Sequence, residues 1–256
     1  MSETPSAPTA AFIIIGNEIL SGRTKDANLA YVGERLAALG ILLQEARVIP
    51  DVKTVIVATV NELRARHTYV FTSGGIGPTH DDITTDCVAT AFGLSVVRDP
   101  VAEAALRRHY KAEDLNAARL KMADVPEGAR LIENPVSAAP GFQVENVFVL
   151  AGVPRIMQAQ FESAKDRLAG GAPMLSRTLV AFVTEGSMAA ELSRIQDGAD
   201  GVEIGSYPFV RDGRLGTSIV MRGTDDAALS HTRDLVAELM RKVGGEPTEE
   251  GLDDVA

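Results

Sequence analysis

Apolar and polar positions along this chain fall into two alternating rhythms. Residues 10–16 (AAFIIIG) form an almost unbroken apolar run, as expected of a strand buried on both faces. From Asp26 onward Leu29, Val32, Leu36 and Leu39 recur at helical spacing until Gly40 stops the pattern. Residues 41–49 read as a second strand. Pro50-Asp51 then opens a helix with Val52, Val55, Ile56, Val60 and Leu63 on one face. A third strand begins near Thr68, where residues 69–72 are aromatic, apolar and β-branched. The helical pattern after it reaches Phe92, with Gly93 suited to end it. Strand and helix in alternation predict an α/β fold with a parallel sheet covered on both faces.

Past Gly93 the rhythm shortens. Residues 94–97 read as a strand, 100–110 and 111–122 as helices, and 129–132, 141–144 and 147–150 as strands. Residues 134–141 (NPVSAAPG) form a constrained loop, and Pro154 opens a helix that runs to about Leu168. Gly170-Gly171-Ala172-Pro173 reads as a linker. Strands at 179–183, 202–206 and 215–221 and helices at 187–195 and 225–243 follow, enough for a small α+β layer. The expected division is a disordered tail over 1–9, a main domain over 10–170, a small α+β domain over 175–245 and an acidic tail over 246–256.

Candidate chemistry gathers where the third strand ends. Ser73-Gly74-Gly75-Ile76-Gly77-Pro78-Thr79 leads into a helix, and its glycines permit positive φ and close approach to the backbone. Strand, glycine loop and helix start together suit a phosphate, because N–H groups point outward and the helix dipole favours negative charge. Asp81 and Asp82 stand at the mouth and would repel a bare phosphate. A divalent cation between carboxylate and phosphate completes such an arrangement. The simpler alternative is a tight turn with Asp81 or Asp82 capping the helix, and Asp51 has the same alternative in its own helix. In open α/β sheets ligands lie beyond the carboxyl ends of strands, where strand order reverses. The polar loop after Gly16, with Glu18, Ser21 and Asn28, is therefore expected to face the glycine loop across one crevice.

The totals narrow the function classes. A net charge of −10 does not suit a nucleic-acid surface, which needs clustered Lys and Arg. The single cysteine, Cys87, excludes an intrachain disulfide, fits a reducing compartment and reads as a core thiol. No apolar run is long enough to span a bilayer, so no membrane partner is expected. The first nine residues lack the charged and apolar regions of a signal peptide, and the cytoplasm is the expected compartment. Four scattered histidines offer no zinc spacing, and His80 reads as an exposed loop residue.

The segment 73–84, SGGIGPTHDDIT, resembles the signature T-G-G-[TIL]-G-P-x-x-D-D-[LIV]-T of the molybdopterin-binding (molybdenum cofactor biosynthesis) fold. Gly16 to Gly22, Asn28, the 134–141 loop, and Gly152-Val153-Pro154 with Met157 are similar to the N-terminal portion of the competence/damage-inducible protein A family. The resemblance covers residues 10 to about 245. It implies a three-layer α/β domain with a mostly parallel sheet, a small second domain and a homo-oligomer. The implied partner is a small molecule, molybdopterin (a phosphorylated pterin) or a nucleotide. Phosphate or ligand contacts are implied for Ser73, Gly74, Gly75, Gly77, Pro78, Thr79, Thr84, Ser21, Asn28 and Asn134. Catalytic roles fall to Asp51, Asp82 and Glu18, and a divalent metal (Mg²⁺, Mn²⁺ or Co²⁺) to Asp81 and Asp82. The implied activity is hydrolysis of an ADP-ribose- or FAD-like nucleotide pyrophosphate. Binding without turnover, or adenylyl transfer to molybdopterin, are the alternatives. The amidohydrolase domain that follows in many members is not found in this sequence. Three positions depart from the family pattern: Asn17 where many members have Gly-Asp-Glu, Ser137-Ala138 in place of Gly-Thr, and Ile156 in place of Glu.

Overall fold

The computed structural model describes residues 7–250, and the chain divides into two compact units with the boundary after Gly171. The first unit begins with β1 (Thr9–Ile15), α1 (Asn17–Leu20), α2 (Asn28–Ala38), β2 (Leu42–Ile49), α3 (Lys53–Arg66), β3 (Tyr69–Ser73) and α4 (Thr84–Phe92). It continues with β4 (Val96–Arg98), α5 (Pro100–His109), α6 (Ala117–Lys121), β5 (Asp124–Pro126), β6 (Arg130–Ile132), β7 (Gly141–Val144), β8 (Val147–Leu150) and α7 (Pro154–Ala164). Six strands make one sheet in the order β2-β1-β3-β8-β7-β6. β2, β1, β3 and β8 are parallel, and β7 and β6 close the far edge antiparallel. The mostly parallel α/β architecture is the one that the strand–helix alternation predicts.

β1 explains the layers. Successive side chains on a strand point to opposite faces. Ala11, Ile13 and Ile15 join a core with Ile56, Val60 and Leu63 of α3 and Cys87 and Val88 of α4. Ala10, Phe12 and Ile14 join another with Val32 and Leu36 of α2 and Met157 and Phe161 of α7. An all-apolar strand is what a sheet between two helical layers requires. β2 lies on one side of β1 and β3 on the other, so strand order reverses between β1 and β3.

Two expectations are corrected here. The helix expected over 111–122 is only α6, because residues 111–118 are exposed except for half-buried Leu115 and so have no apolar face to bury. Asn116 begins α6 by accepting from Arg119 N at 2.9 Å. The helix expected from Asp51 starts at Lys53, leaving the Asp51 side chain to other use.

The second unit contains β9 (Leu175–Ala181), α8 (Glu185–Gly198), β10 (Val202–Arg211), β11 (Arg214–Gly223), α9 (Asp226–Lys242) and β12 (Thr248–Glu250). Its sheet runs β10-β11-β9-β12, antiparallel throughout. Leu179, Ala181, Ile219 and Met221 pack against Leu229, Val236 and Met240 of α9. β12 corrects the expected acidic tail, of which residues 251–256 lie outside the described residues. Glu249 pairs with Arg177 and Arg233, and Glu250 with Arg211 at 2.7 Å, so counter-charges let this acidic run add a strand. Of the N-terminal tail expected over 1–9, residues 1–6 lie outside the described residues and Thr9 already belongs to β1. Among the described residues no helix is long and apolar enough to cross a membrane.

Candidate functional site

The glycine loop leaves β3 at the reversal point of the sheet. Gly74 adopts φ 109° and Gly75 φ 69°, conformations that side chains resist. Space is equally short: a Cβ on Gly74 would lie 2.2 Å from Ile15 O, and one on Gly75 would lie 2.2 Å from Thr84 Oγ1. Thr84 closes the loop at the start of α4. Its buried hydroxyl donates to Gly74 O and its N–H to Gly75 O, each at 2.9 Å. Among the described residues, the N–H groups of Gly75, Ile76 and Gly77 find no acceptor. Consecutive free N–H groups after left-handed glycines form a concavity for an anion.

Asp82 is built into the next turn. Its Oδ2 accepts from Thr79 N at 2.8 Å and from Thr79 Oγ1, and Asp82 N donates back to Thr79 O at 3.3 Å. The carboxylate lies so close over Gly77 that a Cβ there would be 2.7 Å from Oδ2. Neither acid caps α4, whose N-cap position is Ile83. Asp81 is exposed. The Thr79 hydroxyl and the residue's own backbone N–H hold its carboxyl below the usual range, with smaller help from His80 and Lys121. That hydroxyl has one proton, which the geometry gives to Asp82, so Asp81 feels it less directly. Pro78, Thr79 and His80 are all exposed.

On the other side of β3, Asn28 is buried at the first turn of α2. Its Nδ2 donates to Ser73 Oγ at 2.7 Å and to Gly152 O at 2.8 Å, tying three connections together. Ser73 Oγ in turn donates to Ala151 O at 3.4 Å. Glu18 folds back over Gly16, where a Cβ would meet Glu18 Oε1 at 2.5 Å. Asp51 Oδ2 accepts from Asn17 N at 2.9 Å and so pins the loop after β1 to the end of β2. That contact uses only the backbone of Asn17. Ser21 is exposed and donates to Glu18 O at 3.2 Å. Asn134 spends its amide within its own loop, on Ser137 Oγ and Ala139 O at 2.7 Å each and on Val136 N and Ser137 N.

The single crevice expected from sequence is divided in the fold. One cavity is lined by Gly77, Asp82, Asp86, Lys121 and Asp124, among others, and a second by Glu18, Asp26, Asn28, Ser73 and Gly152. They share no lining residue. From Ser73, which lines the second, to Ile76, which lines the first, the chain runs through Gly74 and Gly75, and Gly74 is tightly packed. It lies against the Ile15 carbonyl, and a Cβ on Gly152 would come within 3.3 Å of its Cα. Lys121 escaped the sequence reading. It reaches the turn from α6, donating from Nζ to Asp82 O at 2.8 Å and Thr79 O at 3.4 Å. A lysine in a polar stretch 39 residues from its partner carries no local signal. Among the described residues no group of three or more His, Cys, Asp or Glu side chains is assembled to hold a metal ion.

A parallel α/β sheet with a glycine loop and acids at its reversal point defines the class. Residues 11–170 match the family described as "Probable molybdopterin binding domain", and residues 173–245 match the one described as "FAD synthase, middle domain". The chain belongs to the molybdopterin-binding domain family, and within it to the CinA type. A protein of Thermoplasma acidophilum is 34% identical, aligned over 92% of this chain and 97% of its own length. A CinA-like protein of Gemmatimonas aurantiaca is 32% identical over 95% of this chain and 60% of its own. The crystal structure of the protein CinA with unknown function from Thermoplasma acidophilum superposes with a TM-score of 0.59. It is 36% identical and covers 63% of this chain and 98% of that one.

Proposed function

We propose that this chain binds a phosphorylated pterin or a nucleotide with the phosphates on the glycine loop. We further propose that it hydrolyses the pyrophosphate of an ADP-ribose- or FAD-like nucleotide with a divalent metal. The observation that carries the reading is the loop itself: three successive N–H groups without acceptors beside the Asp82 carboxylate. The two cavities, one lined by Ser73 before the glycine loop and one by Gly77 within it, suit a ligand with two halves joined by phosphates. Asp81 and Asp82 supply too few donors to hold a metal alone, so phosphate oxygens of the ligand would complete the shell, as is common for Mg²⁺. Bound there, the ion would neutralise charge on the phosphoryl oxygens. Asp82, with both protons of Thr79 turned to one oxygen, keeps its other oxygen available. Glu18 lines a cavity and suits the orientation of water, whereas Asp51 serves by fixing the Asn17 loop.

A second reading, binding without turnover, draws support from the sparse donor set. One experiment separates them. Purified protein is incubated with ADP-ribose, FAD, or ATP plus molybdopterin, each with Mg²⁺, Mn²⁺ or Co²⁺, and products and binding are both followed. Release of AMP or phosphate, reduced about a hundredfold or more in Asp82→Asn, is expected. Binding without product supports the second reading, and neither binding nor product overturns both.

A further inference from the structure

Lys121 occupies an unusual position for a lysine in a chain of net charge −10. Among the described residues it forms no salt bridge, and its ammonium donates only to two carbonyl oxygens of one turn, Asp82 O and Thr79 O. Holding a long side chain there costs rotamer freedom, which charge-assisted bonds to the carbonyls offset. Its seat is built from the core outward. Ala123 is buried with Ala102 and Leu106 of α5, and Val125 is buried against the α3–α4 side of the sheet. β5 pairs with β4 through Val97 and Val125. These anchors fix the chain two residues after Lys121, so the excursion from β4 to β5 delivers an ammonium to the acidic turn.

Resting on the phosphate-loop reading given above, we propose that Lys121 is the positioning residue of the Thr79–Asp82 turn. It grips both ends of that turn through their carbonyls and thereby keeps the Asp82 carboxylate over Gly77. Ligand affinity then depends on a cation at position 121. The turn's own bonds, Thr79 N and Oγ1 to Asp82 and Asp82 N to Thr79 O, close it from within. Lys121 closes it from without, through the two oxygens that also face α6. Neutral replacement leaves those oxygens to water and frees the turn to move the carboxylate off the glycine.

The test uses the chain of 256 residues and its variants Lys121→Met and Lys121→Arg. Amide exchange at Thr79, whose N–H is held by Asp82, reads the turn directly and needs no ligand. In Lys121→Met it is expected to quicken about tenfold and in Lys121→Arg to return most of the way, with amides of β1 and β3 unchanged. Calorimetry with inorganic pyrophosphate and Mg²⁺ is expected to show about tenfold weaker binding in Lys121→Met and recovery in Lys121→Arg. Unchanged Thr79 exchange in Lys121→Met overturns the proposal. So does protection lost equally at β1 and β3, which marks a merely structural lysine, or quickened exchange with pyrophosphate affinity intact. If the wild-type protein binds no pyrophosphate, the phosphate-loop reading fails and ligand affinity cannot depend on Lys121. The exchange data then still decide whether the lysine holds the turn.

Discussion

Ala138 sits at φ 60° inside the loop that Asn134 organises, a left-handed conformation that costs any residue with a Cβ. Ala138→Gly should therefore stabilise the protein by about 0.5 kcal/mol, the relief of strain exceeding the added freedom of the unfolded chain. Urea denaturation measures it, and a loss of stability would show that the alanine methyl packs better than its backbone suffers. Position by position, the sequence revealed residues whose meaning is local. Three glycines in four residues and a following Asp-Asp are visible without a fold, because turn chemistry is written in adjacent side chains. Asp51 and Lys121 were not legible in the same way. The partner of Asp51 is the Asn17 N–H, 34 residues away, and nothing beside Asp51 points to it. Asn134 was legible as a loop builder by type, and the structure uses all of its amide for that purpose.

Between elements, the contact of α2 with α7 is tied by one carboxylate. Glu162 accepts from Tyr31 Oη at 2.8 Å and Arg35 Nε at 2.7 Å, both from α2, and from Lys165 Nζ at 2.7 Å. Burial pushes the Glu162 carboxyl up, but the bonds from Lys165, Tyr31 and Arg35 outweigh it and bring it down to about 2. A folded value below the unfolded one means stability present above pH about 4.5 and lost as pH falls toward 2. Glu162→Gln should cost about 1 kcal/mol at pH 7, given that the cluster is partly exposed. The difference should shrink as pH falls from about 4.5 toward about 2, where about half of the wild-type carboxyl is protonated. Melting curves across that range decide, and a difference that does not change with pH removes the carboxylate from the account. Elements with an unbroken apolar run or a strong apolar period were readable in the chain, as β1, α2 and α9 demonstrate. Segments 111–122 and 246–250 were not, because composition alone cannot tell whether a polar run finds a surface or a set of arginines to meet it.

At the scale of the whole chain, every residue assigned to the candidate site belongs to the unit ending at Gly171, which has its own cores on both faces of its sheet. A fragment of residues 1–171 should unfold cooperatively and bind pyrophosphate with Mg²⁺ as the full chain does. Denaturation and calorimetry on the fragment check this, and a fragment that folds without binding would mean that residues beyond Gly171 contribute. The layered architecture was legible because alternating strands and helices admit few topologies. The division of the crevice was not, because cavities are set by how distant segments pack and not by neighbours in the chain. β1 carries a last consequence. Its odd and even positions furnish opposite interiors, so a frameshift of one residue in its pairing would exchange the fillings of both at once. Phe12 would press into space shaped for isoleucine, and Ile13 would leave a void where a ring belongs. A polypeptide so constrained has one workable alignment, and drift along that segment must proceed by matched substitutions on two sides.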